Sequence, residues 1–224
     1  YAFSQKVSAN INPVLAAADE ALAPQLAALT DAIYMDPLLF ARVRAVHENR
    51  AALGLGGEDA MLLDTTWAEF LHRGALLDST QQAELRQINE RLSSLSAQVS
   101  QAITQGQNAA AVTVESRAEL SGLSEGQIAA AAAAAEAAGQ PGKFVLVLTN
   151  TSGQPLLARL DNRPLRERIF RASIARNQNG AHDTRAMVRE TMTLRNRIAA
   201  LFGTPDYASW QMYDRFVDQP EAAV

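Results

Sequence analysis

The chain has 224 residues, 48% of them hydrophobic and 20% charged, with a formal net charge of −4. That composition excludes wholesale disorder and leaves room for one large domain or two small ones, each with a real core. There is no cysteine, which excludes disulfides, thiolate catalysis and cysteine-ligated zinc, and no apolar run approaches the length of a membrane span.

In chain order, the first third is a series of helix starts. Asn12-Pro13 places a capping residue before a proline suited to the first turn, and an Ala- and Leu-rich helix follows to about Thr30. Pro24 is expected to kink or divide it. Asp36-Pro37 repeats the signal, and that helix runs to a glycine stop at Gly54. After Gly56-Gly57 a further helix over 58–77 carries Met61, Leu62, Trp67, Phe70 and Leu71. The longest helix starts at Asp78-Ser79 and reaches Gln105. Its apolar positions, Leu85, Ile88, Leu92, Leu95, Val99 and Ile103, form a narrow stripe suited to lengthwise helix packing. The fold class is therefore mainly α, a bundle or set of antiparallel helical hairpins.

A small β element interrupts this pattern. Val112-Thr113-Val114 reads as a short strand, and Ser124 caps an alanine-rich helix through Ala138, closed by Gly139 and Pro141. The clearest strand, rich in β-branched residues, covers 144–149 and leads to a turn at Thr151-Ser152-Gly153. Asn162 and Pro164 then open a helix through Arg176, and Asp183 caps the next, which bears Met187, Thr191, Leu194, Ile198 and Leu201 and ends at Phe202-Gly203. Pro205 starts another, through Tyr207, Trp210, Met212 and Phe216. Asp218, Pro220 and Glu221 form one more helix start at the very end, as expected of a fragment. The expected division is helical hairpins over 1–105, a small α/β element over 106–160 and a helical continuation over 161–224.

Charge is unevenly spread. Residues 1–158 carry 9 basic and 16 acidic side chains, whereas residues 159–197 carry ten Arg and four Asp/Glu. Such a basic window can hold phosphate or nucleic acid. Phe170 is its single aromatic residue, too few for stacking bases, so a solvated or ion-paired helix face is the preferred reading. Neither a nucleic-acid nor a membrane partner is expected.

Catalytic patterns are missing. His47-Glu48 starts a zincin motif, but Ala51 stands where the second histidine is required. His72 and His182 are isolated in sequence and read as surface or hydrogen-bonded side chains. There is no Gly-x-Ser-x-Gly elbow, Walker A loop or Rossmann fingerprint. Tyr207, Trp210 and Tyr213 could line a groove, although a helix-packing stripe explains the spacing. No catalytic, cofactor-binding or metal residue is assigned.

The order of residues carries a resemblance. Asp31-Ala32-Ile33-Tyr34-Met35, Asn89-Glu90-Arg91-Leu92-Ser93-Ser94-Leu95 and Glu119-Leu120-Ser121-Gly122-Leu123-Ser124 begin it. Phe144-Val145-Leu146-Val147-Leu148, Asn150-Thr151, Gln154-Pro155, Leu157, Asn162-Arg163, Leu165-Arg166-Glu167, Ala172-Ser173 and Arg176 continue it. So do Asp183-Thr184-Arg185, Leu194-Arg195, Leu201-Phe202-Gly203, Tyr207-Ala208, Trp210, Asp214 and Pro220-Glu221-Ala222. Together, in this order, they resemble the N-terminal region of the M3 family of zinc oligopeptidases, most of all its peptidyl-dipeptidase branch. Thr204 departs from it, since the family more often has a bulky apolar residue there.

The resemblance implies a mainly helical, two-lobed fold around a peptide channel, with the His-Glu-x-x-His zinc motif in the C-terminal part. It implies that zinc belongs to the parent enzyme, with no cofactor in this chain, which would form a channel wall and be inactive alone. The implied partners are the C-terminal catalytic lobe of the same polypeptide and short peptides cleaved to dipeptides from their C-termini. The expected compartment is the cytoplasm, with the periplasm as alternative. The competing function is a stand-alone helical protein-interaction module.

Overall fold

A computed structural model describes residues 2–9, 12–148, 154–217 and 219–223. The turn expected at Thr151-Ser152-Gly153, the strand residue Thr149 and the capping Asp218 lie outside the described residues. The chain divides into two compact units, one of residues 1–98 with 189–224, the other of residues 99–188.

The first unit is all helical among its described residues. It holds α1 (Ala2–Ala9), α2 (Pro13–Tyr34), α3 (Pro37–Glu48), α4 (Gly57–His72), the first two-thirds of α5 (Ser79–Ala109), most of α8 (Arg185–Leu201) and the short α9 (Tyr207–Gln211). The capping signals act as expected. The Asn12 side chain accepts from Val14 and Leu15 N–H at 3.1 and 3.0 Å, and Asp36 Oδ1 accepts from Leu39 N–H at 2.6 Å. Asp78 and Gln81 cap α5 reciprocally, Asp78 Oδ1 accepting from Gln81 N–H at 2.8 Å and Gln81 Oε1 from Asp78 N–H at 3.1 Å.

Several boundaries differ from expectation: α2 extends to Tyr34, α4 stops at His72 instead of 77, and α5 reaches Ala109. Of the two outcomes expected at Pro24, division does not occur: α2 runs through it from Pro13 to Tyr34. The helix starting at Pro37 stops at Glu48, where the Asn49 side chain donates to the Ala45 carbonyl at 2.7 Å, and a 3-10 turn at Arg50–Ala52 precedes Gly54. The last helix is five residues long, starting at Tyr207 under the Asp206 cap, and Phe216 is fully exposed beyond it.

The core of this unit is where α5 meets α8. Leu85 and Ile88, together with Met35 and Ile198, are at most 5% exposed, packed round by Leu92, Leu194, Leu201 and Phe202. Gly74, at φ +94°, ends α4 by letting Ala75 N–H reach the Phe70 carbonyl at 3.0 Å, and a Cβ there would sit 2.9 Å from Leu85.

The second unit contains the β element. β1 (Val112–Val114) pairs antiparallel with β2 (Phe144–Leu146) in the register Val112 with Leu146 and Val114 with Phe144. α6 (Glu125–Ala137), capped reciprocally by Ser124 and Gln127, links the strands and packs on β2. The ladder is shorter than the expected strand over 144–149 because β1 begins only at Val112, opposite Leu146, and offers Val147 nothing to pair with. Alternation persists regardless, with Val147 exposed and Leu148 fully buried. Val114, Leu120, Leu148, Leu165 and Ile169 are each at most 1% exposed and form the centre of this core.

α7 (Arg163–Ala175) brings the arginines. Several of them close backbone valences: Arg166 donates to Leu160 O at 2.5 Å, Arg168 to Thr113 O at 2.7 Å and Arg176 to Leu148 O at 2.6 Å. Others are ion-paired, Arg171 with Glu167 and Arg185 with Asp183, while in the first unit Arg91 pairs with Glu190 and Arg197 with Glu84. Much of the basic window is thus committed within the chain.

The loop before α6 is pinned to the loop before α7. Asp161 N–H donates to Ser121 O at 2.9 Å and the Ser121 hydroxyl donates to Asp161 Oδ2 at 2.7 Å. Gly122 makes this approach possible: its φ is +93°, and a Cβ would lie 2.0 Å from the Arg159 carbonyl oxygen. Gly122→Ala is expected to destabilise the second unit by more than about 2 kcal/mol, read by denaturant unfolding, since backbone strain and a backbone clash coincide. An unchanged midpoint would contradict this reading of the loop.

Candidate functional site

The three histidines do not converge. His47 stacks on Trp67, with centroids 4.5 Å apart and planes at 10°, and its Nε2 is 3.7 Å from Asp64. His182 ends a 3-10 turn, where its carbonyl accepts from the Asn177 side chain at 2.9 Å. Ala51, at the missing zincin position, lies in the 3-10 turn after α3. Among the described residues, no group of three or more His, Cys, Asp or Glu is arranged to hold a metal ion. These donors therefore do not fit a zinc centre.

His72 is half-buried and held by stacking. It is the last residue of α4, and its ring lies between two aromatic planes, Trp210 at 3.9 Å and Tyr213 at 3.7 Å, each tilted by 19°. Phe202 completes the cluster at 6.2 Å. Tyr207 stays outside the stack: it tilts against Trp210 at 5.2 Å, lies beneath the Arg195 guanidinium at 5.1 Å and donates to Gln211 at 3.1 Å. So the aromatic run splits by role, Trp210 and Tyr213 gripping the imidazole and Tyr207 packing the α8 end.

The stack walls a cavity of about 360 Å³ lined by Asp31, Glu69, His72, Arg73, Leu85, Asn89, Trp210, Gln211 and residues 213–215. Its floor is polar. Asp31 is 5% exposed, and Asn89 Nδ2 donates to its Oδ1 at 2.8 Å. Asp31 Oδ2 and Trp210 Nε1 are buried and have no hydrogen-bond partner among the described residues. Arg73 pairs with Glu69 at 3.2 Å and lies over the Tyr34 ring at 4.6 Å. Burial pushes the Asp31 carboxyl above its ordinary range, against the Asn89 bond and the Arg86 and Arg73 charges. Burial likewise lowers His72 to about 4, assisted by the Arg73 charge. Tyr213 is raised by burial and then by Asp214.

None of these three cavity features was legible beforehand. His72 and Trp210 are far apart in the chain, and Asn89 shows in sequence only as a polar residue on a helix. Asp31 carries the one signal available, an acid in an otherwise apolar stretch of α2.

No family model matches the chain. Individual relatives do. It is 38% identical over 223 residues to the dipeptidyl carboxypeptidase of Salmonella typhimurium, covering 99% of this chain and 33% of that protein. The dipeptidyl carboxypeptidase of Escherichia coli is 36% identical over the same share. Oligopeptidase A of Salmonella typhimurium is 30% identical over 164 residues, 71% of this chain and 24% of that protein. These relatives are M3 peptidases, and the chain is similar to their N-terminal part alone. It spans about a third of the length of the dipeptidyl carboxypeptidases it matches. The mainly helical fold with a two-stranded element agrees with what the resemblance implied. Among the described residues no helix is long and apolar enough to cross a membrane.

The His72 stack has a measurable consequence. The folded state holds the imidazole neutral down to about pH 4, whereas the unfolded chain takes up the proton near 6.5. Between those values the unfolded state binds more protons, so this group contributes stability that is present above pH 6.5 and lost as pH falls toward 4. The raised Asp31 carboxyl acts with opposite sign, so the His72 part is read as the difference between the wild type and His72→Phe. An NMR titration should place the His72 imidazole midpoint near 4, and a midpoint near 6.5 would contradict the buried stack.

Proposed function

We propose that this chain is the non-catalytic, N-terminal part of a zinc-dependent peptidyl-dipeptidase, and that it forms one wall of the channel in which short peptides are cleaved. The alignment with dipeptidyl carboxypeptidase over 99% of this chain and 33% of that protein carries the reading. On it, the metal and the attacking water belong to the other part of the larger protein. This chain contributes shape and positioning, which raise the effective concentration of a correctly held scissile bond.

Exposed apolar surface supports the reading. Leu26, Leu29 and Ile33 of α2 are 55%, 58% and 45% exposed at helical spacing, and Met61 and Leu62 of α4 are each 67% exposed. Apolar faces of this kind are surfaces for covering by further protein, and a catalytic lobe of the same polypeptide is the occupant this reading supplies. The ion pairs of Arg171 with Glu167 and Arg185 with Asp183 support the expectation of no nucleic-acid partner, because each carboxylate offsets a charge that would otherwise neutralise a phosphate.

The purified 224-residue chain should release no dipeptides from an oligopeptide, with or without added zinc, by a chromatographic assay. Chelator-sensitive dipeptide release by the chain alone would overturn the assignment.

A further inference from the structure

The connection between α7 and α8 holds two asparagines in opposite situations. Asn177, at φ +57°, has its carboxamide fixed: Nδ2 donates to Ala102 O at 2.7 Å and to His182 O at 2.9 Å. Its own carbonyl accepts from Thr184 N–H at 3.0 Å, which closes the loop. Asn179 is exposed and precedes the 3-10 turn Gly180–His182 without a side-chain capping bond, so its carboxamide is free to turn. Gly180 follows it, in the single Asn-Gly step of the chain. Gly180 is exposed at φ +67°, its N–H has no acceptor among the described residues, and a Cβ there would meet nothing within 4 Å. An amide nitrogen with no side chain beside it and no hydrogen bond to break approaches the neighbouring carboxamide at the least steric cost.

We propose that Asn179 is a site of spontaneous covalent self-modification, in which the Gly180 amide nitrogen attacks Asn179 Cγ and the residue converts to aspartate or isoaspartate. The N–Cγ bond forms as the Gly180 nitrogen gives up its proton, and the Cγ–Nδ2 bond breaks with that nitrogen leaving as ammonia. The product is a cyclic succinimide, which water then opens. Attack at Cγ restores the original backbone as aspartate, whereas attack at the Asn179 backbone carbonyl carbon leaves the chain running through Cγ as isoaspartate. Water is consumed and ammonia released, with no oxidant or reductant. Ring closure requires rotation about the Asn179 Cα–C bond from its ψ of 169°, which the open space beside the exposed pair permits. Asn177 is excluded because carbonyls hold its carboxamide and Gln178, not glycine, follows it. Either product puts a carboxylate on the wall of a cavity of about 230 Å³ that Asn179 lines together with Arg176 and His182. Isoaspartate also adds a backbone atom between Asn177 and Thr184, inside the loop their hydrogen bond closes. The inference goes beyond the peptidase reading and does not depend on it, because this loop lies within the second unit.

The test is prolonged incubation of the purified chain in mildly alkaline buffer, followed by trypsin cleavage and mass spectrometry. Trypsin releases residues 177–185 as one peptide holding both asparagines, so Asn177 serves as internal control. The same peptide, made synthetically, gives the rate of the unrestrained sequence. Asn179 should convert in the folded chain within about tenfold of that rate, since opening an exposed loop adds little to the barrier. Isoaspartate should exceed aspartate, and Asn177 should stay intact. Asn179→Ser, which removes a side chain without a capping bond, should leave the peptide unmodified. An unchanged Asn179 after the synthetic peptide has converted, aspartate formed without isoaspartate, or conversion of Asn177 to the same extent would each overturn the proposal.

Discussion

The seam between α5 and α8 is the contact on which the first unit depends. Leu85 and Ile88, on one face of α5, bury against Ile198 and Met35 with almost no exposure left. Burying such side chains fully stabilises by roughly 1.5–3 kcal/mol each, before the cost of ordering them. Much else follows from that seam. Gly74, at φ +94° and with the Leu85 side chain 2.9 Å from where a Cβ would sit, follows the end of α4, which leaves His72 as its last residue. One turn after Leu85, Asn89 reaches Asp31. At the far end of α8 the chain turns at Gly203 into α9, and α9 with its following turn carries Trp210 and Tyr213 to the two faces of the imidazole. The cavity is the space left where these constraints meet.

The second unit rests on different means. Its sheet is a single three-residue pair, too small to be stable alone. It persists because α6 covers β2 and because Leu120, Leu148, Leu165 and Ile169 close the remaining sides. Arginines add to the polar accounting by donating to the Leu160, Thr113 and Leu148 carbonyls. This gives the basic window a structural use that a charge count does not reveal.

The parts of the fold that were legible in the sequence are those set by local chemistry. Asn12, Asp36, Ser124 and Asn162 cap helices because their side chains reach N–H groups two or three residues on, whatever the surroundings. The apolar stripe of α5 was readable from its spacing, although Ile103, its last member, is exposed. Features that depend on distant residues were not legible. The length of β2 is set by where β1 ends, the shortness of α9 by the turn after Gln211, and the His72 stack by residues far along the chain. The homology was readable because many weak identities fall in order, but the cavity has no counterpart in a linear pattern.

The central proposal is that this chain is one part of a larger peptidase similar to the dipeptidyl carboxypeptidases. Reading the coding frame beyond Val224 tests it most directly. The account predicts a continuation of several hundred codons, containing a His-Glu-x-x-His motif and a later glutamate. A stop codon directly after Val224 would contradict it and leave a helical binding protein without catalytic zinc.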